Sequence, residues 1–148
     1  MQWKPNVTVA AIVQRDGKFL MVEEDADAQV VFNQPAGHLE KGETLIEAII
    51  REVLEETAWE FQPEAVVGIY LYHNPRVAIT YLRICFSGSC TTHHPDRKLD
   101  AGILRAIWMD KSELEANEHR LRNTLVLRCI EDYLAGKRYP LDILNHYL

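Results

Sequence analysis

The sequence predicts one mixed α/β domain spanning residues 1–148, and two observations carry that reading. Short β-branched, apolar runs recur between turn signals, and one strongly amphipathic helical segment interrupts them after the third run. The length is about that of one domain. With 47% hydrophobic and 26% charged residues the chain has globular composition, neither disordered nor fibrous. Val7 to Val13 and Phe19 to Glu23 flank Asp16-Gly17, which reads as a hairpin because glycine accepts the positive φ such turns require. Val30 to Phe32 is a short strand broken by the loop Asn33 to Gly37. Val66 to His73 and Val77 to Phe86 are strands joined through Asn74-Pro75, and Ile103 to Met109 is the last strand. Helices follow at Lys111 to Asn117 and Asn123 to Leu134, the second closed by Gly136. No repeat, low-complexity tract or linker divides the chain.

Charge and composition exclude several classes of function. The longest apolar stretches fall far short of the 18 or so residues that cross a membrane. The N-terminus carries no basic head, apolar run and small-residue cleavage site, so no secretory signal is read there. Cys85, Cys90 and Cys129 match no C-x-x-C spacing, and an odd number leaves one unpaired; reduced, buried thiols in a cytoplasmic protein are the expectation. The net charge of −6 argues against a nucleic-acid backbone binder. Nearly all of that imbalance lies between Glu43 and Glu60, where six glutamates face one base, Arg51.

The helix expected at Thr44 to Thr57 explains how these carboxylates converge. Thr44 and Glu47 form a capping box, in which hydroxyl and carboxylate each take up a free backbone N–H. Leu45, Ile46, Ile49, Ile50, Val53 and Leu54 make one broad buried face. Glu52, Glu55 and Glu56 then fall within an arc of about 100° on the other side. A solvated glutamate face normally sets Glu four residues before Lys or Arg, as Glu47 stands to Arg51. Glu52 and Glu56 are instead like charges at i and i+4, and the helix contains no lysine to offset them. A hard divalent cation such as Mg²⁺, which prefers oxygen ligands, supplies the missing positive charge. Arg51 is expected to bridge Glu47 and Glu55.

The residues Gly37, Glu43, Arg51, Glu52, Glu55 and Glu56 carry a resemblance. The segment GHLEKGETLIEAIIREVLEETAW resembles the Nudix box, G-x5-E-x7-R-E-U-x-E-E-x-G-U with U aliphatic. At about one chance in fifteen per position, such a match would arise roughly once in 10⁵ random chains, which outweighs a merely solvated face. Ala58 stands where the family has glycine and Trp59 where it has an aliphatic residue, which touches the helix exit and not the carboxylates. Asn33 to Glu40 and Arg138 to Asp142 are similar to the bacterial NudJ-type phosphatase subgroup.

The resemblance implies a Nudix-type α/β/α sandwich with a mixed sheet and the box as loop, helix and loop. It implies hydrolysis of a diphosphate linkage by water attack on phosphorus, with Mg²⁺ as cofactor and Mn²⁺ as an alternative. Substrates would be small heterocyclic diphosphates, such as hydroxymethylpyrimidine diphosphate or thiamine diphosphate, or nucleoside di- and triphosphates. By position, Glu52 and Glu56 are the first-choice metal ligands, then Glu55, with the Ala36 carbonyl as a further one. Glu52, Glu55, Arg51 and Glu43 form the catalytic set, Arg51 orienting carboxylates and Glu43 anchoring the loop.

Gln34, His38, Arg83 and Asp100 are the candidates for substrate contact. Among Phe32, Tyr70, Tyr72, Tyr81 and Trp108, at most one or two are expected to line a pocket, since strand aromatics usually pack. Arg76 is a further phosphate-binding candidate. His93-His94 sits in a polar loop and lacks metal-site spacing; no H-E-x-x-H occurs to support a zinc hydrolase. A catalytically silent Nudix-type nucleotide-binding domain is the competing reading; the partner in either case is a small phosphoric anhydride, with no membrane and no nucleic acid, and oligomeric state is left open.

Overall fold

Alternation along the first strand decides where the two halves of the core lie. The structure is a computed structural model describing residues 1–148. In β1 (Asn6–Ile12) and just beyond it, Val9, Ala11 and Val13 face one buried cluster while Ala10 and Ile12 face another. A strand apolar on both faces must be covered on both faces. Helix α1 (Leu45–Thr57) supplies Ala48, Ile49 and Val53 to the first cluster. Helix α3 (Thr124–Leu134) supplies Val126, Cys129 and Ile130 to the second, joined by Leu114 of α2 (Lys111–Ala116). The architecture is therefore α/β/α with strands between helices.

The strands form two sheets of four. One orders as β5 (Ala36–His38), β1, β7 (Ile79–His93) and β6 (Trp59–Asn74). In the other, β3 (Lys18–Ala26) pairs with β2 (Gln14–Arg15), β4 (Gln29–Asn33) and β8 (Ile103–Asp110). The β1–β7 pair is parallel and its neighbours antiparallel, which makes that sheet mixed. Strand β6 lies at the sheet edge, the place where Pro63, lacking an N–H, is tolerated.

Several elements differ from expectation, each for a reason outside local sequence. The Asp16-Gly17 turn exists, with φ of 52° and 76°, but it joins β2 to β3; β1 has already left for the other sheet. The loop after β4 contains β5, which pairs antiparallel with β1 through Ala10 and Ala36. Strands β6 and β7 run well beyond Val66 to His73 and Val77 to Phe86, because their mutual pairing extends from Asn74 and Ile79 back to Trp59 and His93. Ile50, expected in the buried face of α1, is 37% exposed at the margin of the helix's contact. All three cysteines are free and buried.

Candidate active site

The site is built on α1. Thr44 is its N-cap: the Thr44 hydroxyl accepts from Glu47 N–H, and Glu47 returns a carboxylate to Thr44 N–H at 2.9 Å. Glu47 is thereby committed to the cap, so Arg51 does not bridge it as expected. Arg51 turns to the loop and to its own side of the helix. Its Nε and Nη2 donate to both oxygens of Glu43 at 3.0 and 2.7 Å, and Nη1 donates to Glu52 at 2.8 Å and Glu55 at 3.2 Å. A planar guanidinium with several fixed donors can hold three carboxylates in set directions. The Arg51 hydrogen bonds hold Glu43 below the ordinary carboxylate range. Glu43 also accepts from Glu40 N–H, and Arg51 Nη2 reaches the His38 carbonyl, so the loop before the helix is tied to the same arginine.

Glu52 and Glu56 are buried, unlike an ordinary glutamate face. Burial pushes Glu52 up to about 6 despite Arg51, and Glu56 up to about 9 although Ala36 N–H donates to it at 2.9 Å. Glu55 is also raised, by burial and by Asp100. Carboxylate oxygens of Glu52, Glu55 and Asp100 lie within 4.8 Å of one another. Asp100 is thus a correction to the sequence reading: it does not line the substrate cavity but joins the helix carboxylates. The chain carrying it is pinned there by Asp100 N–H donating to the Glu55 carbonyl at 3.0 Å, one of the carbonyls that a helix end leaves free. Three oxygens held together against their repulsion, with desolvated neighbours, fit a hard divalent cation.

Gly37 meets this group from the side of β5. A Cβ there would lie 2.1 Å from the Glu52 carboxylate carbon, so the absence of a side chain admits the carboxylate itself.

Glu52 and Glu56 also line a cavity of about 620 Å³, within the usual range for small-molecule sites. Ala36 and His38 lie on its wall, as do Tyr72 and Tyr81, the two aromatics of the earlier five that reach it. The His38 and Tyr81 rings are 6.5 Å apart. Arg76 and Arg83 line it too. Gln34 does not, and this is the second correction. It is wholly buried, its Nε2 donates to the Val126 carbonyl at 2.7 Å and its Oε1 accepts from Arg83 Nη2, so the amide is packed away from the cavity. Gln34 braces Arg83 instead.

His93 and His94 lie elsewhere, His93 stacked on Trp59 at 4.6 Å and His94 paired with Glu60 at 2.8 Å. Glu24, Asn33 and Arg122 line the cavity without having been singled out in the sequence. Arg122 pairs with Glu24 across the β3–α3 gap at 2.7 Å, a contact no local pattern announces.

An α/β/α fold with a glutamate-rich helix organised by a single arginine defines the Nudix hydrolases, enzymes that act on phosphoric anhydrides. The NUDIX domain family model matches residues 3–128, and the chain belongs to that family. Among curated relatives, it is 37% identical to Phosphatase NudJ of Escherichia coli K12 over 145 residues, covering 98% of this chain and 94% of that protein. A solved NUDIX hydrolase from Nitrosomonas europaea shares 54% identity and superposes with a TM-score of 0.96, over 97% of this chain and 98% of that one. The NUDIX domain of Shewanella oneidensis NrtR, solved with ADP ribose, superposes at 0.71 with 15% identity over 91% and 90% of the two chains, a likeness of fold alone. No helix is long and apolar enough to cross a membrane.

Proposed function

We propose that this enzyme hydrolyses the diphosphate linkage of small heterocyclic diphosphates and nucleoside di- or triphosphates, releasing inorganic phosphate. The observation that carries the reading is the position of Glu52, which belongs both to the carboxylate group with Glu55 and Asp100 and to the wall of the aromatic-bearing cavity. Glu52, Glu56, Glu55 and Asp100, with the Ala36 carbonyl, are the residues to hold Mg²⁺ or Mn²⁺. The cation supplies neutralisation of the phosphate oxygens and a more acidic water.

In the hydrolysis an oxygen of water bonds to phosphorus, the anhydride P–O bond breaks, and the departing phosphate or nucleotide takes the bonding electrons. A carboxylate of this group takes the water's proton. Arg51 Nη1 aims Glu52 and Glu55 by donating to both, and Glu43 fixes Arg51 in turn. Tyr72, Tyr81 and His38 bracket the organic end, while Arg76 and Arg83 provide positive charge toward the phosphates. The cavity's modest cationic content suits one small diphosphate better than capped RNA, whose many phosphates call for more Lys and Arg. Three free cysteines suit a reducing compartment, so we assign the enzyme to the cytoplasm.

Phosphate release is to be measured with Mg²⁺, with Mn²⁺ and with chelator. The panel is pyrimidine-type diphosphates, nucleoside di- and triphosphates, ADP-ribose, dinucleoside polyphosphates and capped RNA. Metal-dependent turnover with highest kcat/KM on the first two groups is expected. A preference for any of the last three would overturn the substrate assignment, and nucleotide binding without turnover would favour the silent binding domain.

A further inference from the structure

The outer edge of β6 is guarded along its first half and open along its second. Between Trp59 and Gly68 the register against β7 shifts at Trp59/Phe61, Pro63/Ala65 and Val66/Gly68, and Glu60 and Glu64 carry charge. At Val66 both the N–H and the carbonyl are taken by Tyr139, each at 2.8 Å. Bulges, charges and prolines are the means by which edge strands avoid pairing with another chain. From Gly68 to Asn74 all of them stop. The register runs unbroken from Gly68 opposite Cys85 to Asn74 opposite Ile79, the segment GIYLYHN contains no Asp, Glu, Lys, Arg or Pro, and its outer side meets no strand. The C-terminal segment leaves this edge after Tyr139: Leu141 and Leu144 pack on the first core cluster, and His146 Nε2 accepts from Leu45 N–H at 3.3 Å. Ile69 and Leu71 are 54% and 72% exposed, although their β7 neighbours Ile84 and Leu82 belong to the core or pack against it. Leu71 is the most exposed large apolar side chain of any strand, and it is the middle residue of the seven-residue open edge.

We infer that this segment is a dimer interface, in which β6 pairs antiparallel with β6 of a second copy about a two-fold axis at Leu71. In that register Leu71 meets its own counterpart, Tyr70 meets Tyr72 of the second copy, and Gly68 meets its Asn74; every contact off the axis occurs twice. The free backbone N–H and carbonyl groups of the edge gain partners, and the apolar and aromatic cross-strand pairs are of the stabilising kind. A second copy suits the edge electrostatically. The segment is uncharged, so self-pairing sets no like charges opposite each other, in a chain whose net charge of −6 opposes the approach of its charged surfaces. Tyr72 and Asn74 also line the large cavity, so the axis lies beside both candidate active sites.

The test is sedimentation of the wild type and of Leu71→Lys across the micromolar range, joined to disulfide trapping. Wild type is expected at twice the chain mass of 17.1 kDa. Leu71→Lys should sediment as a monomer, since two ammonium groups would meet on the axis, and its Tm should match wild type because the side chain is exposed in the single chain. Leu71→Cys, treated with glutathione disulfide, should cross-link into a covalent dimer. Ile69→Cys should not, because its two copies would lie about 14 Å apart along the strands, beyond the span of about 7 Å that a disulfide bridges. The three native thiols are buried and do not compete. A monomeric wild type would overturn the inference and leave the edge to a different chain or to none. Dimers that survive Leu71→Lys, failure of Leu71→Cys to cross-link, or cross-linking of Ile69→Cys to the same extent would overturn it as well. Should Leu71→Lys fail to fold, the wild-type mass and the two cysteine variants decide. None of these outcomes bears on the hydrolase reading.

Discussion

Gly37 and Glu56 show how much of the site hangs on single atoms. A methyl at position 37 would overlap the Glu52 carboxylate, and because that group ends a side chain, the carboxylate would move and the fold would stay. Gly37→Ala should therefore cost about 10²-fold in kcat, the scale of a reacting group displaced by about an ångström. Its thermal unfolding should match wild type; unchanged turnover would show that Glu52 tolerates the shift. Glu56→Gln keeps shape and removes, from the group proposed to hold the cation, a carboxylate that would ionise on binding it, so at least about 10²-fold lower activity is expected. Turnover at the wild-type level at equal metal concentration would remove Glu56 from that set.

At the scale of the element, α1 is well begun and awkwardly ended. The capping box at Thr44 satisfies two free N–H groups, whereas the exit passes through Ala58 at φ 62°. This is the left-handed conformation that glycine, the family's residue here, adopts freely. The Ala58 N–H still closes on the Leu54 carbonyl at 3.0 Å, so the exit is retained with its strain and not rebuilt around Trp59. Ala58→Gly should stabilise the protein by up to ~1 kcal/mol, relief of strain being offset in part by a lost buried methyl. For a chain of this size that is a rise of about 2–4 °C in Tm. A fall in Tm would mean that the buried methyl outweighs the backbone strain.

Across the whole molecule, the buried carboxylates couple stability to pH and metal. The folded protein keeps a proton on Glu56 up to about 9, whereas the unfolded chain releases it near the ordinary value of 4.5. Between those values the folded state binds more protons than the unfolded one, so metal-free stability falls as pH rises through that window. Glu52 adds to the fall between 4.5 and about 6. In chelator, Tm should decline from pH 6 to 9, and Glu56→Gln should flatten most of the decline. Millimolar Mg²⁺ should restore wild type increasingly at higher pH, since binding displaces a proton. A wild-type Tm in chelator that is level from pH 6 to 9 would contradict the buried, protonated Glu56.

The sequence by itself determined the reaction chemistry and the helix that bears it. Thr44, Glu47, Arg51, Glu52, Glu55 and Glu56 lie on one helix, where rise and rotation per residue convert spacing directly into geometry. Tertiary structure decided everything that depends on where separate elements meet. Asp100 joined Glu52 and Glu55 because its loop is pinned to the end of α1, and nothing near Asp100 in the sequence encodes that contact. Gln34 and Asn33 are neighbours in the chain, yet Gln34 is wholly buried against Arg83 while Asn33 belongs to the cavity wall. Strand alternation makes two such faces available, but only the packing of α3 and β7 determines which is core and which is cavity wall. The departure of β1 from its expected hairpin partner has the same origin: pairing with β7 and β5 buries both of its apolar faces between helices, an outcome of long-range burial that local turn chemistry cannot specify.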